Sequence, residues 1–240
     1  MTFTRYAIYY APPADAAWGG FATSWLGWDM QAGQVVAQPE VTGLNLTGLD
    51  LAAITQVPRK YGLHATLKPP MRLAEGGNLT DLQADCEALA AQQAPVTLEG
   101  LHLARLGRFL ALRVTGNETA LSSLAAACVQ DLDPFRAAAS EAELAKRRAS
   151  GLSPAQDANL LAWGYPFVLD QFRFHITLTG KLPKAELAAV EAALAAHLIP
   201  LLPKPLVIRD LALVGEDDSG RFHMNQRYTL TGPQDAAAAE

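Results

Sequence analysis

Apolar and polar positions along the chain fall into two copies of one order of elements. Arg5–Tyr10, RYAIYY, has the aromatic and β-branched content of a strand, and the segment 11–57 after it carries turn signals with weak periodicity. Its three tryptophans, Trp18, Trp25 and Trp28, are expected to anchor that segment to the core. YGLHATLKPP, residues 61–70, leads into a predicted helix over 78–93, with Thr80 as N-cap and Leu82, Leu89 and Ala90 in helical register. Residues 95–114 then read as two strands about a turn near Gly107, and a second helical pattern covers 118–132.

FRFHITLTGK, residues 172–181, repeats the His-x-Thr-Leu core and starts the same series again. A helix is predicted over 183–197, with Pro183 in its first turn, followed by two strands about the polar turn 216–220. Laying LEGLHL (98–103) on IRDLAL (208–213) keeps the apolar positions in phase, as two copies of one strand-helix-strand-strand unit require. The expected organisation is a single domain of two lobes, 1–132 with the first motif and 167–240 with the second. Between them lies a helical insert at 133–166, whose Lys146, Arg147 and Arg148 read as a solvated helix face.

Strand alternation assigns the chemistry. In the second motif Phe172, Phe174, Ile176 and Leu178 make an apolar face, leaving Arg173, His175, Thr177 and Thr179 on the other. In the first, Leu63, Ala65 and Leu67 face the core and His64, Thr66 and Lys68 share the opposite side. Two units related by an approximate twofold axis would bring one histidine to each side of a cleft. That placement suits in-line displacement at phosphorus, where attacking and leaving oxygens lie opposite one another. One imidazole takes a proton from water and the other gives one to the leaving oxygen, roles open to a side chain with a pKa of about 6.5. Thr66 and Thr177 would donate to the non-bridging oxygens, and Lys68 would offset their charge. Arg59, Lys60, Lys68 and Arg72 stand against Glu75 alone around the first motif, a local excess of cations. His102, His197 and His223 have no such repetition and are expected to be structural. Neither motif has a neighbouring His, Cys or carboxylate at metal-ligand spacing, and no nucleophile-elbow pattern occurs. No metal and no cofactor are expected.

Composition narrows the partners. Half of the 240 residues are apolar, enough for a substantial core, and the net charge is −5. That acidic balance, without an aromatic-basic stripe, argues against nucleic acid. The opening MTFTRYAIYYAPP lacks the features of a secretory signal and no apolar run reaches membrane-spanning length, so a cytoplasmic protein away from membranes is expected. Cys86 and Cys128 lie in alanine-rich helical patterns and suit small buried hydrophobes. Oligomeric state is not readable from these features.

HATL from His64 and HITL from His175 resemble the paired motifs of the 2H phosphoesterase superfamily. RKYGLHATLKPPMRL (59–73) with WGYPFVLDQFRFHITLTG (163–180) is similar to its phosphonate-metabolism branch. The resemblance implies an α+β fold of two pseudo-symmetric sheet-plus-helix lobes around a central cleft. It also implies metal-independent hydrolysis of a cyclic phosphodiester, with His64 and His175 as the catalytic pair and Thr66 and Thr177 as the hydroxyls. The branch implies a ribose substrate such as 5-phosphoribosyl 1,2-cyclic phosphate, which Lys68, Tyr61 and Arg173 would help to bind; Tyr165 is a further candidate for the sugar. Processing of RNA 2′,3′-cyclic ends, or non-catalytic binding of a phosphometabolite, are the alternatives.

Overall fold

The computed structural model describes residues 2–41 and 50–233; the stretch 42–49 of the weakly patterned segment lies outside them. The first half runs β1 (Arg5–Tyr10), α1 (Ala17–Leu26), β2 (Trp28–Asp29), β3 (Gln34–Val35), α2 (Leu51–Arg59), β4 (Ala65–Met71), α3 (Leu79–Gln92), β5 (Val96–Leu98), β6 (Gly100–Leu106), β7 (Phe109–Thr115) and α4 (Thr119–Asp131). Two insert helices follow, α5 (Glu141–Arg148) and α6 (Pro154–Trp163). The second half is β8 (Ile176–Thr177), α7 (Leu187–Leu198), β9 (Leu206–Ile208), β10 (Asp210–Glu216) and β11 (Phe222–Thr229).

The expected α+β architecture of two sheet-and-helix lobes is the one observed. The two larger sheets have the orders β11-β10-β1-β4 and β6-β7-β8, all pairs antiparallel. Each sheet therefore draws strands from both sequence copies: the hairpin after the first motif pairs with the strand of the second, through Ala111 opposite Thr177. The spans 1–132 and 167–240 mark copies of the unit, not sheets. Both motif strands are edge strands, and Pro69 and Pro70 in β4 occupy an edge, where a missing N–H costs no ladder bond. The two copies also meet directly. In the β5–β9 pair Thr97 lies opposite Val207, the residue that the sequence alignment makes its own counterpart, so an approximate twofold axis passes through this pair.

On β1, Tyr6, Ile8 and Tyr10 enter the main core with Leu67, Leu112, Ile176 and Leu178, while Ala7 and Tyr9 face a smaller cluster with Trp28 and Phe222. All three tryptophans are buried. The Trp25 indole donates to the Leu178 carbonyl and the Trp28 indole to that of Phe222, both at 2.9 Å. Cys86 and Cys128 are buried free thiols. Helix ends differ from the sequence reading in detail. Asn78, not Thr80, caps α3, its side chain accepting from the Asp81 N–H, and Pro183 sits in a turn before α7 rather than within it. No helix among the described residues is long and apolar enough to cross a membrane.

Candidate active site

A cleft of about 400 Å³ opens between the two motif strands, and His64, Thr66, His175 and Thr177 all line it. Each imidazole is oriented the same way, by its own backbone. His64 Nδ1 lies 2.9 Å from the Gly62 carbonyl and His175 Nδ1 lies 2.8 Å from that of Arg173. A carbonyl can only accept, so Nδ1 carries the proton and Nε2 is left for proton exchange. In the first copy this geometry depends on glycine. Gly62 has φ +69°, and a Cβ there would lie 2.8 Å from Met30 Cβ.

The surroundings of the two rings differ. Tyr9, opposite Thr66 on β1, stacks on His64 at a centroid distance of 3.9 Å, and Tyr61 lies 5.8 Å away. Burial among these rings pushes the His64 pKa down to about 4, against the pull of the Gly62 carbonyl; the charge of His175 adds to the depression. His175 has Phe109 at 6.4 Å as its aromatic neighbour.

Of the other expected residues, Tyr61 and Tyr165 line the cleft, whereas Lys68 and Arg173 are not among its lining residues. The Lys68 assignment needs correction. Ile8 pairs with Lys68 but Tyr9 pairs with Thr66, so one step on β1 spans two on β4, and this bulge turns Lys68 to the opposite side of the sheet from a strict alternation. Its amine is buried, donates to the Val129 carbonyl at 2.8 Å and lies 3.5 Å from Asp133; burial pushes its pKa down to about 8. Arg173 turns back on its own chain, donating to the Phe172 and Asp170 carbonyls. Thr179 lines the cleft but is buried, its hydroxyl accepting from the Leu110 N–H. Arg59 is likewise structural, tied to Leu26, Gln38, Ala52 and Thr55, and Arg72 pairs with Glu143. Lys68→Met is therefore expected to keep turnover within roughly threefold while costing about 1–3 kcal/mol of stability, because the Val129 carbonyl loses its donor. A tenfold or greater loss of rate, read beside a denaturation curve, would return Lys68 to the site.

The cleft holds cations that the motifs did not announce: Arg5, Arg147 and Lys181. Arg5 is held by Glu216. Arg147 was expected on a solvated face, but it packs its guanidinium over the Tyr165 ring, 4.5 Å from the centroid. Lys146 and Arg148 of that run fit the surface reading: both are exposed, and Arg148 pairs with Asp157 at 2.6 Å. The other histidines stay outside the cleft: His102 contacts Thr115, His197 stacks on Phe21 and His223 pairs with Asp217. Among the described residues no group of three or more His, Cys, Asp or Glu is placed to hold a metal ion.

Comparison with known proteins adds relatives of two kinds. A ribose 1,5-bisphosphate phosphokinase PhnN of Janthinobacterium sp. (strain Marseille) is 36% identical over 242 residues, covering 99% of this chain and 53% of that protein. One of the same name from Laribacter hongkongensis (strain HLHK9) is 34% identical over 216 residues, 90% of this chain and 49% of that protein. The chain thus spans about half the length of the curated relatives it matches. Among solved structures, E. coli LigT complexed with NADP⁺ is 14% identical, with a TM-score of 0.44 over 96% of this chain and 99% of that one; LigT is also solved with 3′-AMP and with ATP. The expectation that set nucleic acid aside as a partner is withdrawn, because the cations lining the cleft contradict its premise. The physical error was to let a whole-chain charge of −5 stand for a cleft whose local charge is set by Arg5, Arg147 and Lys181. A family profile described as "Protein of unknown function (DUF1045)" matches residues 66–239, from the first motif's threonine through the whole second motif, and the chain belongs to that family.

Proposed function

We propose that the cleft hydrolyses a cyclic phosphodiester carried on ribose, by acid-base catalysis between His64 and His175. The observation that carries this reading is the matched pair of imidazoles, one immediately before each motif strand, both fixed through Nδ1 and both lining one cleft with a threonine hydroxyl two residues on. With its pKa near 4, His64 is neutral at neutral pH and suits the base, taking a proton from the attacking water at Nε2. His175 then supplies a proton to the departing ribose oxygen as the P–O bond breaks. Thr66 and Thr177 donate to the non-bridging oxygens, and Arg5 and Lys181 offset their charge.

Two sources of the cyclic phosphate fit. The aromatic walls Tyr61, Tyr165 and Phe109 favour a nucleotide, such as a 2′,3′-cyclic end, because a base can stack on them. The name of the curated relatives favours a sugar phosphate: opening the 1,2-ring of 5-phosphoribosyl 1,2-cyclic phosphate at oxygen 2 leaves ribose 1,5-bisphosphate. The kinase activity in that name is not carried over, since this sequence has no Gly-x₄-Gly-Lys-Ser/Thr loop to cradle a triphosphate. Phosphorus-detected assays in EDTA, with 5-phosphoribosyl 1,2-cyclic phosphate, a nucleoside 2′,3′-cyclic phosphate and a cyclic-ended oligonucleotide, separate these sources. Turnover of none of the three would overturn the enzymatic reading, and binding without turnover would favour a phosphometabolite-binding module.

The pH dependence follows from the burial of His64. Activity needs His64 neutral, so the acid limb of kcat/KM is expected to break near pH 4 rather than near the ordinary histidine value of about 6.5. A break near 6.5 would remove His64 as the base. The same depression links to folding. Between about 4 and 6.5 the unfolded chain binds a proton at His64 that the folded chain does not, so this residue's contribution makes stability fall as pH drops through that window and leaves it level above. Circular dichroism along the pH series distinguishes acid unfolding from loss of the base.

A further inference from the structure

A second cavity of about 470 Å³ adjoins the cleft, between the β1–β4 side of the sheet and the insert helices, and shares Arg5, Pro70 and Arg147 with it. Its lining holds five cations, Arg5, Arg72, Arg136, Lys146 and Arg147, against one carboxylate, Glu143. Three of the five are already matched: Arg5 by Glu216, Arg72 by Glu143, and Arg136 by Asp133 at 2.7 and 3.0 Å. Lys146 and Arg147 have no carboxylate at ion-pair distance among the described residues. Both sit in the last turn of α5, whose placement is fixed at both ends. Ser140 and Glu143 close a capping box at its start, and the Arg148–Asp157 pair ties it to α6. Arg147 is further held by the Tyr165 ring, just past the left-handed Gly164 that ends α6. Leu160, Pro166, Phe167, Pro70 and Met71 give the cavity an apolar floor.

We propose that this second cavity is an anion subsite, in which Lys146 and Arg147 hold a second phosphate of the same substrate while its cyclic phosphate lies between the histidines. Cations without acidic partners beside an apolar floor match a phosphorylated sugar, the ring on the floor and the phosphate on the two side chains. The ligand is thus a ribose with two phosphates, one cyclic and one terminal. A guanidinium shared by both cavities spans the ring between them. The subsite rests on the reading of the neighbouring cleft as a ribose cyclic phosphodiesterase. It also replaces Lys68, which the sequence had put forward to hold such a phosphate.

The test compares substrate pairs that differ only in the second phosphate: 5-phosphoribosyl 1,2-cyclic phosphate against ribose 1,2-cyclic phosphate, and a nucleoside 2′,3′-cyclic phosphate with and without a 5′-phosphate. The wild-type protein is expected to prefer the doubly phosphorylated member of the sugar or the nucleotide pair by roughly 10-fold to 100-fold in kcat/KM, the worth of one or two charge-assisted hydrogen bonds. In the Lys146→Met, Arg147→Met double variant that ratio should fall toward one, with Arg147→Lys intermediate. KM for the preferred member should also rise more steeply with salt, a readout that needs no variant. A wild-type ratio near one in both pairs, or a ratio unchanged in the double variant, overturns the subsite. Calorimetric titration with ribose 5-phosphate separates this from failure of the phosphodiesterase reading. If no cyclic phosphate is turned over, binding of ribose 5-phosphate that weakens in the double variant still supports the subsite, and equal binding overturns it.

Discussion

His64→Ala and His175→Ala are each expected to lower kcat/KM on the cleaved cyclic phosphate by roughly 10²-fold to 10⁴-fold, the usual contribution of a positioned proton donor or acceptor. The two losses should not multiply in the double variant, because a displacement that lacks its base gains little from keeping its acid. They should differ in pH dependence. Removing His64 takes away the limb set near pH 4, while removing His175 leaves that limb in place. EDTA should alter none of these rates. Both rings are partly exposed at the cleft, so the variants are expected to fold, and a thermal melt beside each rate checks this. A His64→Ala protein within tenfold of wild type in kcat/KM, with its melt unchanged, would remove His64 from the chemistry.

The reach of the sequence follows from which signals are local. His64, Thr66, His175 and Thr177 could be found because a duplicated strand repeats its alternation, and an edge strand with one face on a cleft keeps that alternation in three dimensions. Lys68 could not be placed the same way. The bulge opposite Ile8 and Tyr9 is a property of pairing with β1, a partner more than fifty residues away in sequence. Arg147 read as solvated because a charge run on a short helix carries no record of what that helix packs against. The exchange of the β6–β7 hairpin into the sheet of the second motif was equally invisible: alternation specifies a strand's faces but not its neighbour. Net charge misled for a related reason, since an average over the surface says nothing of one concave site.

The second large effect is expected far from the histidines. Trp25 is fully buried on α1, and its indole N–H satisfies the Leu178 carbonyl at the end of the second motif. Trp25→Ala should cost about 3–5 kcal/mol of folding stability from the lost ring and the cavity it leaves. A buried carbonyl without its donor adds about 1–3 kcal/mol. Trp25→Phe separates the two contributions, since it keeps most of the apolar volume and loses only the N–H. The phenylalanine variant should remain folded, with a cost near the hydrogen-bond figure. Because Leu178 adjoins Thr177, a shift of that strand end moves a hydroxyl that faces the cleft, so Trp25→Phe should also lower kcat more than it raises KM. Urea denaturation and steady-state kinetics on the two variants measure both effects. If Trp25→Ala costs less than about 1 kcal/mol, well below the range for buried aromatics, the weakly patterned first segment is not what holds the second motif in place.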